Sequence, residues 1–327
     1  MLPAKNAQAT IDAAVGSLLL QTLSDFELLA IDDGSTDGTR RRLEQLAAED
    51  TRVRVLSTSG LGLVGALTMG LEAARAPLIA RMDADDESHP ERLERSVRWL
   101  EAHPQLGGVG TGVEIFRDDR PPSPNLTAYG HWLSSLTTPE SVFRDRFIES
   151  PLCHPSVLLK RDVVEAVGGW RDGDFPEDWE LWLRLLEAGH RLACVPEILH
   201  RWRDSDHRLT RTDPRYRWAQ HVRLKADYLA RQLAEVPVVL WGATRTGRAL
   251  SVALTAKGTR IAAFVELDPR KIGQRIHGAP VVAPDALDSL GAVHVLSCVA
   301  AKGAREDIRL WMVAHGREEG RDFTAVA

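Results

Sequence analysis

The sequence predicts an α/β fold built as two successive domains, and three observations predict it. Short apolar segments alternate with segments of helical periodicity along most of the 327 residues, as in a parallel sheet covered by helices. Acidic residues follow two of the apolar segments directly, at Asp32-Asp33 and at 83–86, where such sheets bind ligands. A separate strand, glycine-containing turn and helix begin at Pro237 and indicate the second domain.

The first domain alternates apolar and amphipathic segments. Phe26 to Ile31 is typical of a buried strand that ends in a loop, and Leu43 and Leu46 share one face of the helix that follows. The predicted strands cover 26–31, 53–56, 78–82 and 156–159. The predicted helices cover 39–49, 64–74, 90–103 and 179–188, after apolar residues at helical spacing over 11–19. The opening Met1-Leu2-Pro3 is typical of the end of a buried strand, so we expect that strand's beginning to be missing.

A long helix over 213–234 leads to the second domain. Strands are predicted from 237, at 260–265 and at 293–298, with helices at 246–256 and 304–315. We therefore expect a first domain over residues 1–212, a helical connector over 213–235 and a smaller α/β domain over 236–327.

The composition excludes several classes of function. Lys and Arg number 41 against 46 Asp and Glu, a formal net charge of -5, so no overall basic field attracts nucleic acid. The three cysteines stand far apart without a CxxC pair. This spacing suits a reducing compartment and argues against a structural zinc site. No apolar run reaches the roughly 18 residues of a membrane span, and no secretory signal opens the chain. We expect a cytoplasmic protein without nucleic acid or a membrane span; peripheral membrane association stays open.

Three carboxylates crowd into Met82-Asp83-Ala84-Asp85-Asp86, after the apolar run 78–80. Carboxylates packed at a strand end repel one another and lose hydration, and a bound cation offsets that cost. Ligands of this kind suit Mg²⁺ or Mn²⁺, which complete their shells with substrate phosphate oxygens. For an isolated Asp-x-Asp triplet the alternative is a solvated loop that caps the next helix. The position after a buried strand favours the metal site.

Over roughly residues 1–210 the chain resembles the family-2 glycosyltransferases of the GT-A fold, the nucleotide-diphospho-sugar transferase fold. The resemblance rests on several motifs in the family's order and spacing. These are Leu2-Pro3-Ala4-Lys5-Asn6, Gln21-Thr22, Asp25-Phe26-Glu27, Asp32-Asp33-Gly34-Ser35-Thr36-Asp37-Gly38-Thr39, Ala80-Arg81-Met82-Asp83-Ala84-Asp85-Asp86, Pro90-Glu91-Arg92-Leu93, Cys153-His154-Pro155-Ser156 and Glu177-Asp178-Trp179-Glu180-Leu181-Trp182.

The resemblance implies a site for the nucleotide sugar and its metal. The nucleotide base would contact the loop after the first strand and the second Asp of the DDGS segment, which are Pro3, Ala4, Asn6 and Asp33. A carboxylate suits this role because it accepts from the imide N–H of a pyrimidine. An Asx turn is the alternative for this segment. The metal ligands would be Asp85 and Asp83, with Asp83 also near the ribose and diphosphate, which leaves Asp86 a supporting or capping role.

The same resemblance makes Asp178 the base that takes the proton of the acceptor hydroxyl. Its place at a helix start has a simpler alternative, an N-cap. Two adjacent acids with Trp179 and Trp182 one turn apart favour an acceptor site instead. Glu177 is the fallback base.

Two further positions complete the predicted site. His154 matches a family position near the floor of the site, although a lone histidine is more often structural. Arg208 belongs to the basic segment 200–211, which can clamp a diphosphate. In that segment Arg201, Arg203 and Arg211 are as well explained as solvated charges, and His207 is a further candidate metal ligand.

The second domain has part of a dinucleotide-binding fingerprint. Gly242 and Gly247 are present, but Thr244 occupies the middle position, where a pyrophosphate approaches the backbone. Glu266, at the end of the next strand, is either a ribose ligand or a turn residue. The segment 264–273 resembles small Rossmann-like domains found beside sugar-modifying enzymes. A scaffold or regulatory module is favoured over a ligand site.

We therefore expect an inverting glycosyltransferase that uses Mg²⁺ or Mn²⁺. It would transfer a sugar from a UDP- or dTDP-sugar to the hydroxyl of a saccharide or lipid-linked saccharide, in the synthesis of surface polysaccharide or glycan. A sugar nucleotidylyltransferase is one alternative, although Pro3-Ala4-Lys5-Asn6 lacks the glycine-rich loop that binds a triphosphate. A non-catalytic nucleotide-sensing protein is the other.

Overall fold

The computed structural model describes residues Met1–Ala327, and the chain divides into two compact units. The first comprises Met1–Phe143, Ser150–Gly173 and Glu177–Thr212. The second comprises Arg144–Glu149, Asp174–Pro176 and Asp213–Ala327. The helix expected as a connector lies within the second unit.

The first unit contains two sheets and most of the helices. Its strands are β1 Leu2–Ala4, β2 Leu28–Asp32, β3 Val53–Ser57, β4 Leu78–Ala80, β5 Glu87–Ser88, β6 Leu106–Phe116, β7 Leu158–Lys160 and β8 Arg191–Arg203. Its helices are α1 Ile11–Leu19, α2 Thr39–Glu49, α3 Gly62–Ala73, α4 Arg92–Ala102, α5 Pro124–Ser135, α6 Pro139–Asp145, α7 Arg161–Ala166, α8 Glu177–Glu187 and α9 Leu209–Thr212. The last two residues of α6 belong to the second unit.

The two sheets differ in the direction of their strands. The order β1-β2-β3 is parallel throughout, as the sequence predicts. The other sheet has the order β4-β7-β6-β8-β5 and is mixed, because β7 runs antiparallel to both β4 and β6 while β6 and β8 are parallel. The expectation of parallel strands alone is therefore wrong for this sheet.

Strand β2 separates two apolar layers. Alternate residues of a strand point to opposite faces, and here Leu29 and Ile31 join one core cluster while Leu28 and Ala30 join the other. Helices α3 and α8 cover the first face, and α1 and α2 cover the second. The loops after β1, β2 and β4 meet at one edge of this layered structure, because the Asn6 N–H donates to Ser35 Oγ at 2.9 Å and the Thr10 hydroxyl donates to Ala84 O at 2.8 Å.

The second unit is built on one six-stranded sheet of order β11-β12-β10-β9-β13-β14. Its elements are α10 Trp218–Gln232, β9 Val238–Trp241, α11 Arg245–Thr255, β10 Ile261–Val265, β11 Arg275–Ile276, β12 Ala279–Val282, β13 His294–Ser297, α12 Ala304–Ala314 and β14 Phe323–Ala325. All neighbouring strands are parallel except β11 and β12. The chain leaves β9 for β10 on one side and later returns to β13 on the other, so the strand order reverses at β9.

None of the helices in either unit combines the length and apolar character that crossing a bilayer requires.

Two helical glycines distinguish backbone propensity from packing. A Cβ on Gly16 of α1 would meet nothing within 4 Å, whereas a Cβ on Gly247 of α11 would lie 2.2 Å from Gly242 O. We expect Gly16→Ala to raise the free energy of unfolding by up to about 1 kcal/mol through helix propensity alone. Gly247→Ala should lower it by about 1–3 kcal/mol, because the backbone of the turn must move. Denaturant unfolding of both variants checks this, and equal effects would contradict it.

Candidate active site

The loops that follow β1 and β2 are joined by side-chain hydrogen bonds. Asn6 adopts a left-handed backbone conformation, with φ of 52°, and its Oδ1 accepts from the Thr36 N–H at 2.8 Å. The Asn6 N–H donates to Ser35 Oγ at 2.9 Å. Asp32 Oδ1 accepts from the Ser35 N–H at 3.3 Å, which is the Asx-type turn considered for this segment. The two loops therefore form one rigid rim.

Asp33 is buried beneath this rim. Its Oδ1 accepts from the Thr58 hydroxyl, and its Oδ2 accepts from the Gly62 N–H at 3.0 Å and from Lys5 Nζ at 3.5 Å. The carboxylate thus fixes the start of α3 against the loop after β2. Of the other residues predicted to contact the base, Pro3 and Ala4 are buried in β1, and Asn6 is exposed.

The acidic cluster lies at the end of the segment that follows β4. Carboxylate oxygens of Asp83, Asp85 and Asp86 all lie within 4.8 Å of one another. Arg81 NH1 lies 2.7 Å from Asp83 Oδ1 as an ion pair whose alignment falls short of a hydrogen bond. No other residue donates to the Asp85 carboxylate, so this acid is the one free to take a ligand.

Asp86 is tied to strand β8. Its Oδ1 accepts from the Arg203 N–H and its Oδ2 from His200 Nε2, both at 2.8 Å. Arg92 NH1, which can only donate, lies 3.5 Å from His200 Nδ1, so the histidine proton belongs on Nε2. Arg203 Nε also donates to the Asp85 backbone oxygen at 2.7 Å. Asp86 therefore supports the loop that presents Asp83 and Asp85.

Burial and mutual repulsion make ionisation of the acidic cluster unfavourable. Burial, and then the charges of Asp83 and Asp86, raise the pKa of Asp85 to about 7. Burial and the charge of Asp83 raise the pKa of Asp86 to about 8. Burial acts in the same direction on Asp83, but the charges of Arg81 and Arg208 outweigh it and hold its pKa below the ordinary value. A divalent cation would stabilise the ionised forms of Asp85 and Asp86.

Asp178 lies in the first turn of α8, half-buried beside the fully buried Glu177. Its Oδ2 accepts from the Ser150 hydroxyl at 3.0 Å. Burial and the neighbouring charge of Glu177 raise the pKa of Asp178 to about 7, against the opposing effects of the Trp179 N–H, Ser150 and Arg81. A carboxylate with this pKa accepts a proton readily near neutral pH.

His154 is buried beside Glu177, in a short 3₁₀ helix. Its Nε2 accepts from Trp170 Nε1 at 3.0 Å, which leaves the proton on Nδ1, 3.5 Å from Glu177 Oε1. Burial and the charge of Arg81 lower the pKa of His154, so the ring is neutral. The histidine therefore orders Glu177 and Trp170.

The two tryptophans of α8 do not form an acceptor surface, and that part of the sequence interpretation is wrong. Trp179 and Trp182 are both 0% exposed, and Trp182 packs in the core cluster with Leu67 and Leu159. Their spacing follows the apolar face of the helix, so hydrophobic burial explains it.

The basic segment 200–211 divides into paired and loosely held arginines. Arg201 pairs with Glu87 and Glu114, and Arg203 with Asp118 and Glu87. Arg211 pairs with Asp204 and Asp206. Arg208 NH1 is 3.7 Å from Asp204 Oδ1, and its guanidinium stacks on the Trp202 ring at 4.1 Å. Its charge helps to lower the pKa of Asp83 and opposes the rise in the pKa values of Asp85 and Asp86. Arg208 is thus the arginine of this segment best able to meet an anion, whereas His207 is exposed.

Sequence reasoning missed four residues that organise the site. Arg81 acts on both the acidic cluster and Asp178, Arg92 and His200 support Asp86, and Ser150 donates to Asp178. Only Arg81 gave a signal, because it is a charged residue at the end of an apolar strand segment. Arg92 is close to the acidic cluster in the chain, but its contact with His200, like those of His200 with Asp86 and of Ser150 with Asp178, joins segments that are distant in the sequence.

Comparison with protein families identifies the first part of the chain. The model of the family described as Glycosyl transferase family 2 matches residues 1–168. The chain is 32% identical over 207 residues to EpsE of Bacillus subtilis strain 168, described as a glycosyltransferase, over 62% of this chain and 71% of EpsE. It is 30% identical over 202 residues to the amylovoran biosynthesis glycosyltransferase AmsE of Erwinia amylovora, over 60% of this chain and 71% of AmsE.

Solved structures share the fold at low identity. The S. aureus TarS 1–349 complex with UDP-GlcNAc superposes with a TM-score of 0.57 at 15% identity, covering 77% of this chain and 70% of that chain. The mannosyltransferase PcManGT from Pyrobaculum calidifontis, in complex with GDP-Man and Mn²⁺, gives 0.52 at 17% identity, covering 78% and 67%. Likeness at these identities concerns the fold.

The raised pKa values predict how stability depends on pH in metal-free buffer. Between the pKa of an unfolded aspartate, roughly 3.9, and the raised pKa of Asp85 or Asp86, the folded chain binds more protons than the unfolded chain. The contribution of Asp85 and Asp86 to the free energy of unfolding should therefore fall as the pH rises from about 4 to about 8. Asp85→Asn should flatten this dependence, and the exposed control Asp25→Asn should not. Urea unfolding in EDTA across this range checks it, and identical slopes for all three proteins would contradict it.

Proposed function

Because the chain belongs to glycosyl transferase family 2, we propose that this glycosyltransferase uses a divalent metal to move a sugar from a UDP- or dTDP-sugar to an acceptor hydroxyl. The observation that carries the proposal is the crowding of Asp83, Asp85 and Asp86 within 4.8 Å at the end of the segment that follows β4. The unpartnered Asp85 carboxylate fits a cation that shares its shell with phosphate oxygens.

Asp85 and Asp83 are the residues that would hold Mg²⁺ or Mn²⁺. Asp86 is assigned the supporting role, because its hydrogen bonds with His200 and the Arg203 N–H anchor the loop to β8. The fit rests on the raised pKa of Asp85, which signals a carboxylate in need of positive charge. When bound, such an ion neutralises the charge that develops on a departing nucleoside diphosphate.

The chain's own residues would position the donor. Asp33, at the base of the rim formed by the loops after β1 and β2, is proposed to accept from the base, with Pro3, Ala4 and Asn6 beside it. Lys5 and the Gly62 N–H hold the Asp33 carboxylate in place for that contact. Arg208 is proposed to meet the diphosphate, since its own ion pair with Asp204 is long at 3.7 Å. His154 lies on the floor of the site.

Asp178 is the proposed base. Ser150 fixes the Asp178 carboxylate, and the proton of the acceptor hydroxyl passes to Asp178 as the hydroxyl oxygen attacks the anomeric carbon. Direct attack inverts that carbon in a single displacement, since the proposed mechanism assigns no second group as a nucleophile. Glu177 is less suited because it is fully buried against His154.

The donor and acceptor classes follow from chemistry and from the relatives. AmsE is named for amylovoran biosynthesis, and the TarS and PcManGT structures hold UDP-GlcNAc and GDP-Man with Mn²⁺. A carboxylate at the base position accepts from the imide of uracil or thymine, which favours a UDP- or dTDP-sugar. A saccharide or lipid-linked saccharide of a surface polysaccharide or glycan is the proposed acceptor.

Nucleotide binding tests the metal site directly. Titration of the full chain with UDP should give affinity that rises at least about tenfold when Mn²⁺ is present, because the ion bridges carboxylate and diphosphate. Asp85→Asn should remove most of that rise, and Asp25→Asn should retain it. Binding that ignores both Mn²⁺ and the Asp85 substitution would contradict the proposed site.

Donor binding and transfer should separate at Asp178. We expect Asp178→Asn to bind UDP with Mn²⁺ as the unaltered chain does and to lose about 10²–10⁴-fold in transfer rate, because only the proton acceptor is removed. The rate of the unaltered enzyme should rise with pH as Asp178 ionises and then level, with a midpoint no higher than the pKa of about 7 that Asp178 has without the metal. Near-normal transfer by Asp178→Asn, with loss in Glu177→Gln, would instead make Glu177 the base. No transfer by the unaltered chain, while Asp85→Asn still abolishes UDP binding, would instead describe a nucleotide-sensing protein.

A further inference from the structure

The second unit contains a cavity of about 380 Å³ at the carboxyl ends of its central strands. Residues that follow β9, β10 and β13 line it, together with the first turns of α12. The strand order reverses at β9, and open parallel sheets bind ligands in the crevice at such a switch point. The volume falls in the lower part of the range of small-molecule sites, roughly 300–1,000 Å³.

The glycine turn at the cavity does not fit a dinucleotide. A Cβ on Gly242, at φ of 104°, would lie 2.6 Å from Val299 Cγ2, so this glycine serves close packing of the turn, as Gly247 does. Thr244 occupies the middle position of the turn and lines the cavity. Its hydroxyl accepts from the Gly247 N–H at 3.1 Å and donates to Cys298 O at 2.7 Å, so the side chain is fixed where a pyrophosphate would approach the backbone.

Glu266 supplies the cavity with an acceptor. Its side chain is 12% exposed, and its Oε1 accepts from the Ala243 N–H at 2.8 Å and from Lys271 Nζ at 2.9 Å. Its Oε2 accepts no hydrogen bond within the chain. The carboxylate is therefore fixed in orientation with one oxygen unused, at the strand end where α/β nucleotide sites bind a ribose hydroxyl.

The walls of the cavity are mainly apolar. Trp241 and Trp311 meet edge to face at 4.8 Å, and Ile308 and Val299 complete the surface. Leu267 lies at the mouth with 72% of its surface exposed. Asp307, also at the mouth, is an exposed carboxylate without a partner in the chain. A free sugar has a hydroxyl on nearly every carbon and would leave most of them unpaired here, whereas a planar heterocycle matches these walls.

We propose that this cavity binds a nucleoside without a bridging diphosphate, with a ribose hydroxyl donating to Glu266 Oε2 and the base against Trp241, Trp311 and Ile308. Asp307 accepts but does not donate, so it favours a base edge with an exocyclic amino group, as in adenine. This site is separate from the donor site of the first unit and does not depend on the function proposed there.

Calorimetric titration of the full chain with adenosine tests the proposal. We expect one adenosine per chain, with 2′,3′-dideoxyadenosine weaker by about tenfold or more because the bond to Glu266 is lost. Glu266→Gln should weaken adenosine to a similar degree, and the matched control Glu235→Gln, at an exposed residue outside the cavity, should not. NAD⁺ and uridine should bind more weakly than adenosine, and glucose should give no binding.

Two further variants keep the test decisive. Ala304→Trp fills the cavity from α12 and should abolish adenosine binding while thermal unfolding still shows a folded second unit. Asp33→Asn, which alters the proposed donor site, should leave adenosine binding unchanged. No binding of adenosine at millimolar concentration, equal binding of its dideoxy form, or tighter binding of NAD⁺ would each overturn the proposal.

Discussion

The structure of the first unit depends on one electrostatic constraint, three aspartates whose carboxylates lie within 4.8 Å at the end of a buried segment. Such a cluster costs free energy, because burial and mutual repulsion both oppose ionisation. The chain offsets only part of the cost, through Arg81 beside Asp83 and Arg208 nearby. Asp85 retains a pKa of about 7, so a folded chain keeps an acid that a cation would stabilise.

The loop that holds these acids is fixed by residues more than a hundred positions away. His200 and Arg203 of β8 grip Asp86 and the backbone of Asp85, and Arg92 of α4 supports His200. The network leaves the Asp85 carboxylate without a donor from another residue. The same contacts thus hold Asp86 in place and leave the Asp85 carboxylate available to a ligand. Ligands that are already positioned lose less entropy when an ion binds.

Local patterns predicted the first sheet and its helices well, and the reasons are visible in particular elements. Helix α2 was predicted at 39–49 because Leu43 and Leu46 repeat at helical spacing, and the structure has Thr39–Glu49. The long strands β6 and β8 were missed. In β6 the reason is visible, because Gly108, Gly110 and Gly112 lower its strand propensity. A Cβ on Gly108 would lie 2.4 Å from Leu159 Cδ2, so this glycine is required by a tertiary contact that no local pattern shows. For the same reason the acids of the site could be named from the sequence, whereas Arg92, His200 and Ser150 could not.

Arg81 couples the two halves of the proposed chemistry. Its guanidinium pairs with Asp83 on one side and lowers the pKa of Asp178 on the other. The negative charge of Asp83 partly cancels the effect of Arg81 on Asp178. A cation bound at Asp83 and Asp85 would neutralise that negative charge, so the field of Arg81 at Asp178 would strengthen and the pKa of Asp178 would fall further. The carboxylate expected to accept the proton would therefore be more fully ionised with the metal site filled than with it empty, so metal binding would itself prepare the base.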